Sequence, residues 1–238
     1  MSVIIFTSCI EPNTDITVAN DISRVDEVVA NIRSFFTSGS HHVFEDVILV
    51  DCSNCRQAAE KLFKKVSEQV VDVNITCLHI TFSQEERRDV SFKGKGYSEL
   101  LMLVKAVDRL PSIGENILKL SARYKPYSWQ DFLKELNLSD QDNRIKVTFS
   151  NFRRVALTYA FSISVSTLRD FDDRFRELIN DSSGRFIEHN FYEFLTQLRP
   201  EDVHRVYLHK YFDQMVSGST GKKAGTLKTL ARKIVYRL

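Results

Sequence analysis

Short runs of β-branched and aromatic residues alternate, through the first half of the chain, with longer stretches whose apolar positions recur every three or four residues. The first run, VIIFT at 3–7, has the composition of a buried strand. It is followed by Val25, Val28, Val29, Ile32, Phe35 and Phe36 at helical spacing. The alternation then repeats: VILV at 47–50 predicts a second strand, Leu62, Phe63 and Val66 mark a helix over about 57–70, and ITCLHITF at 75–82 predicts a third strand. Strands separated by helices cannot pair through tight turns, so they imply a parallel sheet covered on both faces. Beyond them lie a charge-rich segment at 84–95, read as a loop, a helix over about 97–110, a fourth strand within ENILKLSARY and a helix at 128–136 capped by Ser128. IKVTFS at 145–150 and the run at 155–165 predict two more strands, and 168–179 and 186–198 two more helices, the last opened by a Ser-Gly turn. No repeat or linker interrupts this series, so the expectation is one α/β domain over residues 1–216, with a mostly parallel central sheet flanked by helices.

The end of the chain follows a different pattern. From Ser217 onward it carries Lys222, Lys223, Lys228, Arg232, Lys233 and Arg237 and no acidic residue, while Leu227, Leu230, Ala231, Ile234, Val235 and Leu238 fall on one helical face. A basic amphipathic helix is predicted within 217–238. It either lies on an anionic membrane surface or docks on the body with its basic face in solvent, since both need the same periodicity.

Composition narrows the function classes. With 43% hydrophobic residues in 238 the chain has enough apolar material for a core, which excludes a disordered chain. Lys and Arg exceed Asp and Glu by only 33 to 31, too little for a chain-wide attraction to phosphate backbones, and no nucleic-acid partner is expected. The opening MSVIIFTSCIEPNTD lacks the basic start of a secretory signal, and no apolar run approaches the roughly 20 residues that span a bilayer. Four cysteines are too few for a disulfide framework, so the expected location is cytoplasmic, with peripheral attachment to the inner membrane face through the tail as an option.

Open α/β sheets bind ligands beyond the carboxyl ends of their strands, which directs attention to residues 7–9, 51–54, 83 onward and 121–124. Asp51 directly follows a buried strand, where its carboxylate accepts hydrogen bonds either from a nucleoside or from its own turn. FKGKGYSE, at 92–99, sets two glycines around Lys95 just before a helix, an arrangement suited either to an anion or to a plain flexible turn. Arg123 closes the fourth strand, as a phosphate grip or as half of an ion pair across a loop. Glu188 stands near the start of an otherwise apolar helix. Cys52 and Cys55 form a CxxC, but no second pair completes a zinc site, so buried or incidental cysteines are expected. The six histidines show no ligand spacing, and Asp172 and Asp173 are expected on a solvated helix face.

The segments IIFTS, VILVDCSN, FKGKGYSELLML, ILKLSARY and GRFIEHNFYEFL, in that order, resemble bacterial nucleotide-sugar-dependent glycosyltransferases of the GT-A type, in particular the small cytoplasmic enzymes of capsule and lipopolysaccharide assembly. The resemblance implies a GT-A-like, Rossmann-type domain that takes a nucleotide-sugar donor and a glycan or glycolipid acceptor. It assigns the nucleotide to Thr7, Ser8 and Asp51, brings Lys95 and its neighbours near the diphosphate or sugar, and makes Glu188 the base. Where the family's metal-binding DxD stands, this chain has Ser121-Ala122-Arg123. No metal and no cofactor are therefore expected, with Lys95 or Arg123 supplying the charge that neutralises phosphate. Ala122 also replaces the glycine of the GRY that similar segments carry. Two other readings stay open: a different nucleotide- or S-adenosylmethionine-using transferase on a similar sheet, and a non-enzymatic scaffold held at the membrane by the tail.

Overall fold

A computed structural model describes residues 2–10, 21–70, 73–110, 115–138 and 144–212. The predicted tail helix and the domain boundary at 216 lie outside them. Among the described residues seven strands, β1 (Ser2–Ser8), β2 (Asp46–Asp51), β3 (Thr76–His79), β4 (Asn116–Ser121), β5 (Ile145–Ser150), β6 (Val155–Ser164) and β7 (Val203–Arg205), form one sheet in the order β3-β2-β1-β4-β6-β5-β7. Only β6 runs against its neighbours, so the expected mostly parallel α/β sheet is present. Its helices are α1 (Asp21–Thr37), α2 (Arg56–Gln69), α3 (Gln84–Lys93), α4 (Lys95–Asp108), α5 (Trp129–Leu136), α6 (Val165–Phe175) and α7 (Ile187–Gln197).

The apolar runs are continuous rather than alternating because both faces of the strands are buried. Ile4, Phe6, Leu49, Leu118 and Leu120 point to the layer built by α1, α2 and α5, where Phe35 meets Phe6 at 5.3 Å and Trp129 at 4.9 Å between ring centroids, both edge-on. Val3, Ile5, Val50 and Ile117 point the other way, to the layer built by α4, α6 and α7. Among the described residues, no helix is long and apolar enough to cross a membrane.

Four local expectations change. The segment at 84–95 is not a loop: it forms α3, opened by a capping box in which Ser83 Oγ accepts from Glu86 N at 3.2 Å and the Glu86 carboxylate accepts from Ser83 N at 2.7 Å. Val90 is the buried residue of this charged helix, so periodicity carried no signal and only the S-x-x-E spacing did. The third strand ends at His79, well short of 82, and β7 is too short to show a pattern. Asp172 is buried and held by the Arg176 guanidinium one turn later, whereas Asp173 faces solvent as expected. A carboxylate can sit on an apolar helix face when the following turn supplies its counter-ion.

The packing has a direct test. Phe132→Ala, inside the α5 layer against Trp129 at 5.8 Å, is expected to cost about 3–5 kcal/mol. Phe152→Ala, at a side chain 79% exposed, is expected to change stability by less than about 0.5 kcal/mol. Urea unfolding followed by the fluorescence of the single tryptophan measures both.

Candidate active site

β1, β2 and β4 end flush. Ser8 pairs with Asp51 and Thr7 with Ser121, and the chain leaves the ladder with Cys52 N donating to Ser8 O at 3.2 Å and Ala122 N to Thr7 O at 2.8 Å. This carboxyl rim is the ligand position that the topology favours. Asp51, however, shapes the rim from inside. It is fully buried, with Oδ1 accepting from Ser53 N at 2.8 Å and Oδ2 from Ile10 N at 3.3 Å, and Ser53 Oγ also accepts from Ile10 N at 2.9 Å. The turn-forming alternative is realised, with both carboxylate oxygens held by backbone N–H groups. Thr7 and Ser8 are buried as well. Among the described residues the Ser8 hydroxyl has no hydrogen-bond partner, the condition that a bound polar molecule or water relieves.

The GKG segment carries an anion, but the anion is the chain's own. Asp181, in the short turn Asp181–Ser183 that precedes α7, accepts through Oδ2 from Lys95 N at 2.8 Å and Gly96 N at 3.1 Å, and so closes the positive end of α4. Both glycines are needed for this approach. Gly94 has φ 96°, and a Cβ there would lie 2.8 Å from Asp181; a Cβ on Gly96 would lie 3.0 Å from Ile187, the first residue of α7. The α4 backbone is thereby taken out of ligand binding, while the Lys95 side chain is not.

That side chain belongs to a mixed cluster. Lys95 and Glu99 lie one turn apart on α4, and Glu188 arrives in the first turn of α7. Glu99 meets Lys119, which is only 1% exposed in the middle of β4 and also donates to Ser121 Oγ at 3.1 Å and to the Thr158 carbonyl. Burial pushes the Glu99 carboxyl up, but the adjacent Lys119 ammonium outweighs it and holds the group below its ordinary value. Glu188 goes the opposite way: burial raises it first, its own backbone N–H resists, and the charges of Glu99 and Asp181 raise it further against the pull of Lys95. Burial lowers Lys95, Glu99 opposes, and the cations Arg123 and Arg24 push it down further. Lys95 is nevertheless exposed, and Glu99 and Glu188 are half-buried, so solvent reaches all three, and the space beside them is called the recess. Two neighbouring carboxylates driven apart in pKa provide one fixed charge and one proton acceptor.

Arg123 donates from Nε to Glu27 of α1 at 3.0 Å, the ion pair across a loop, while its charge still acts on Lys95. Arg24 of α1 donates to the Cys9 carbonyl at 3.3 Å. Lys95 is within electrostatic reach of Arg123 on one side and of Glu188 on the other, whereas Thr7, Ser8 and Asp51 are buried at the ends of β1 and β2. Glu99, Lys119, Asp181 and Arg24 were missed. Lys95 and Glu99 stand four apart, and a lysine within NILKLS is a charge with no solvent to face, so both carried a signal; Asp181 carried none. Among the described residues no three His, Cys, Asp or Glu side chains are grouped to hold a metal ion.

No protein-family model matches the chain, and no curated protein matches it. Among solved structures it is similar to a 4-diphosphocytidyl-2C-methyl-D-erythritol synthase of Anaerococcus prevotii DSM 20548, with 14% identity and a TM-score of 0.48 over 100% of this chain and 96% of that one. It is also similar to mouse xyloside xylosyltransferase 1, with 10% identity and a TM-score of 0.43 over 86% and 83% of the two chains. A third likeness is to the galactosyltransferase LgtC bound to donor and acceptor sugar analogues, with 9% identity and a TM-score of 0.46 over 82% and 70%. At TM-scores below 0.5 these likenesses carry no weight in assigning a function to the recess.

The electrostatics of Glu188 have a stability signature. Its folded-state pKa lies above the ordinary 4.5, so its contribution to stability is fully present below 4.5 and is lost as pH rises through the folded value. Glu188→Gln removes the ionised group, and the variant is expected to melt above the parent at neutral pH, with the difference closing as pH falls below 4.5. Melting temperatures across that range measure it. Asp51→Ala is expected to lower stability by about 1–3 kcal/mol at neutral pH, because it strips Ser53 N of its buried acceptor and Ile10 N of one of its two.

Proposed function

We propose that the chain is a glycosyltransferase that moves a sugar from a nucleotide-sugar donor to a cell-surface glycan or glycolipid acceptor of the capsule or lipopolysaccharide kind. The observation that carries this reading is a carboxylate raised in pKa, Glu188, within reach of Lys95 on α4, whose ammonium in turn feels the charge of Arg123 after β4. In this reading the nucleoside lies beyond β1 and β2, where the Ser8 hydroxyl has no partner among the described residues, and the diphosphate lies over Lys95 and Arg123. Glu188 takes the proton of the acceptor hydroxyl as its oxygen bonds to the anomeric carbon. The bond from that carbon to the phosphate oxygen breaks, and Lys95 and Arg123 stabilise the charge that grows on the departing diphosphate. Glu99 stays ionised against Lys119, and its charge keeps Glu188 basic and Lys95 directed to the recess. With two cations in this position, turnover needs no divalent metal. The basic segment at 217–238 brings the protein to an anionic membrane face, where a lipid-linked acceptor resides.

A panel of nucleotides and nucleotide-sugars tested by thermal shift decides first. A nucleotide-sugar is expected to raise the melting temperature, and Lys95→Ala to remove most of that rise. A rise with nucleoside triphosphates or S-adenosylmethionine alone points to the other transferase chemistries, and vesicle binding with no nucleotide response to the scaffold. Glu188→Gln keeps shape and hydrogen bonding but not basicity, so it is expected to retain donor affinity and lose transfer by about 10²-fold or more. Transfer is expected to survive EDTA; complete loss that manganese or magnesium restores would refute metal independence. Removing the last 22 residues is expected to reduce sedimentation with anionic vesicles, the tail's periodicity from Leu227 onward being the apolar face.

A further inference from the structure

The first cysteine of the chain is brought to a partner that the CxxC spacing does not suggest. The β1–β2 register ends with Ser8 opposite Asp51, so the next residues, Cys9 and Cys52, stand opposite one another. Cys52 N donates to Ser8 O at 3.2 Å, which extends the parallel ladder past its last pair. On the far side of Cys9, the N–H of Ile10 is held by Ser53 Oγ at 2.9 Å and by Asp51 Oδ2 at 3.3 Å. Cys9 is thus clamped on both flanks to the segment that contains Cys52. Alternation sends both side chains to the same face: Cys52 is buried in the layer of Ile5 and Val50, and Cys9 packs against that layer while part of it reaches solvent. Adjacent strands lie about 4.8 Å apart, inside the Cα window of roughly 4.4–6.8 Å that a disulfide requires. Cys9 is also the strongest influence on the Cys52 thiol, which it and burial together push well above the usual range.

We propose that Cys9 and Cys52 form a reversible oxidation site, closing to an intramolecular disulfide in the presence of a peroxide. The position matters because Cys52 Sγ lies 3.9 Å from Ser98 Oγ, next to Glu99, and Cys9 acts on Lys95, so the bond forms against the recess. Formation of the bond does not depend on the sugar-transfer reading. Hydrogen peroxide delivers one oxygen to the accessible Cys9 sulfur, giving a sulfenic acid and water. The Cys52 sulfur then attacks the Cys9 sulfur, the S–S bond forms as the S–O bond breaks, and the hydroxide leaves with the Cys52 proton as a second water. A thiol reductant reopens the bond by exchange. Directly opposed strand positions hold their Cβ atoms near the long limit for a disulfide, so closing it draws β1 and β2 together and leaves a bond of the readily reduced kind.

The test uses the full, reduced chain. It is treated with hydrogen peroxide, its remaining thiols are alkylated, and it is digested without reductant for mass spectrometry. The expected product is a Cys9–Cys52 linked peptide, lighter than its two parts by two hydrogen atoms, with Cys55 and Cys77 alkylated and the link removed by dithiothreitol. Cys55→Ser is expected to leave the link intact, and Cys9→Ser to abolish it. Cross-linking of Cys52 to Cys55, or a Cys9 oxidised beyond the sulfenic acid while Cys52 remains alkylatable, would overturn the proposal. The mapping of the unaltered chain settles the matter even where a substitution at the buried Cys52 prevents folding.

Discussion

A lysine in the middle of a buried strand is the constraint on which the recess depends. Lys119 occupies the centre of β4, on the face covered by α4 and α7, and an unpaired ammonium there would cost several kcal/mol. Glu99 meets it, with Ser121 and the Thr158 carbonyl filling the remaining positions around the nitrogen. This requirement sets the rotation of α4 on the sheet. Once Glu99 faces β4, Lys95 one turn earlier faces the carboxyl rim, and the glycines on either side of it face the turn before α7. Asp181 then fastens that turn to the first amides of α4, which brings Glu188 to the same recess. A structural ion pair and a carboxylate cap thus set the positions of Lys95 and Glu188.

The rim divides its carboxylates between two tasks. Asp51 and Asp181 are acceptors for backbone N–H groups, and they hold loops where β1, β2 and α4 converge. Glu99 and Glu188 remain partly open to water, and their environments separate them: a buried cation keeps one ionised, while crowding and like charge raise the other. The same separation explains why Glu188 opposes stability at neutral pH. A group suited to accept a proton is one that the fold would hold more comfortably neutral.

The bonds that shape the rim also bring two thiols together. Asp51 and Ser53 fix Ile10, and the ladder fixes Ser8, so the backbone of Cys9 has little freedom beside Cys52. Two of the four cysteines therefore share one face of the sheet, and their juxtaposition follows from strand register rather than from spacing along the chain.

The alternation of apolar runs determined most of the fold by itself. A strand buried on both faces must be apolar throughout and a helix on one side only, which is why β1, β2, β4, α1, α2 and α7 are legible at nearly their observed bounds. The charged helix α3 was lost because its apolar content is slight, and β7 because three residues hold no pattern. For the candidate site, the sequence pointed to the rim and to Lys95, Arg123 and Glu188, since a polar residue just past a buried strand or at a helix start is conspicuous. It did not reveal that Asp51 turns inward, that Asp181 fills the anion position of GKG, or that Lys119 needs Glu99. Those outcomes depend on which distant segment supplies a hydrogen-bond partner. Periodicity along a chain records burial, but the partner of a buried charge or amide is chosen only when sheet order and helix packing bring the segments together.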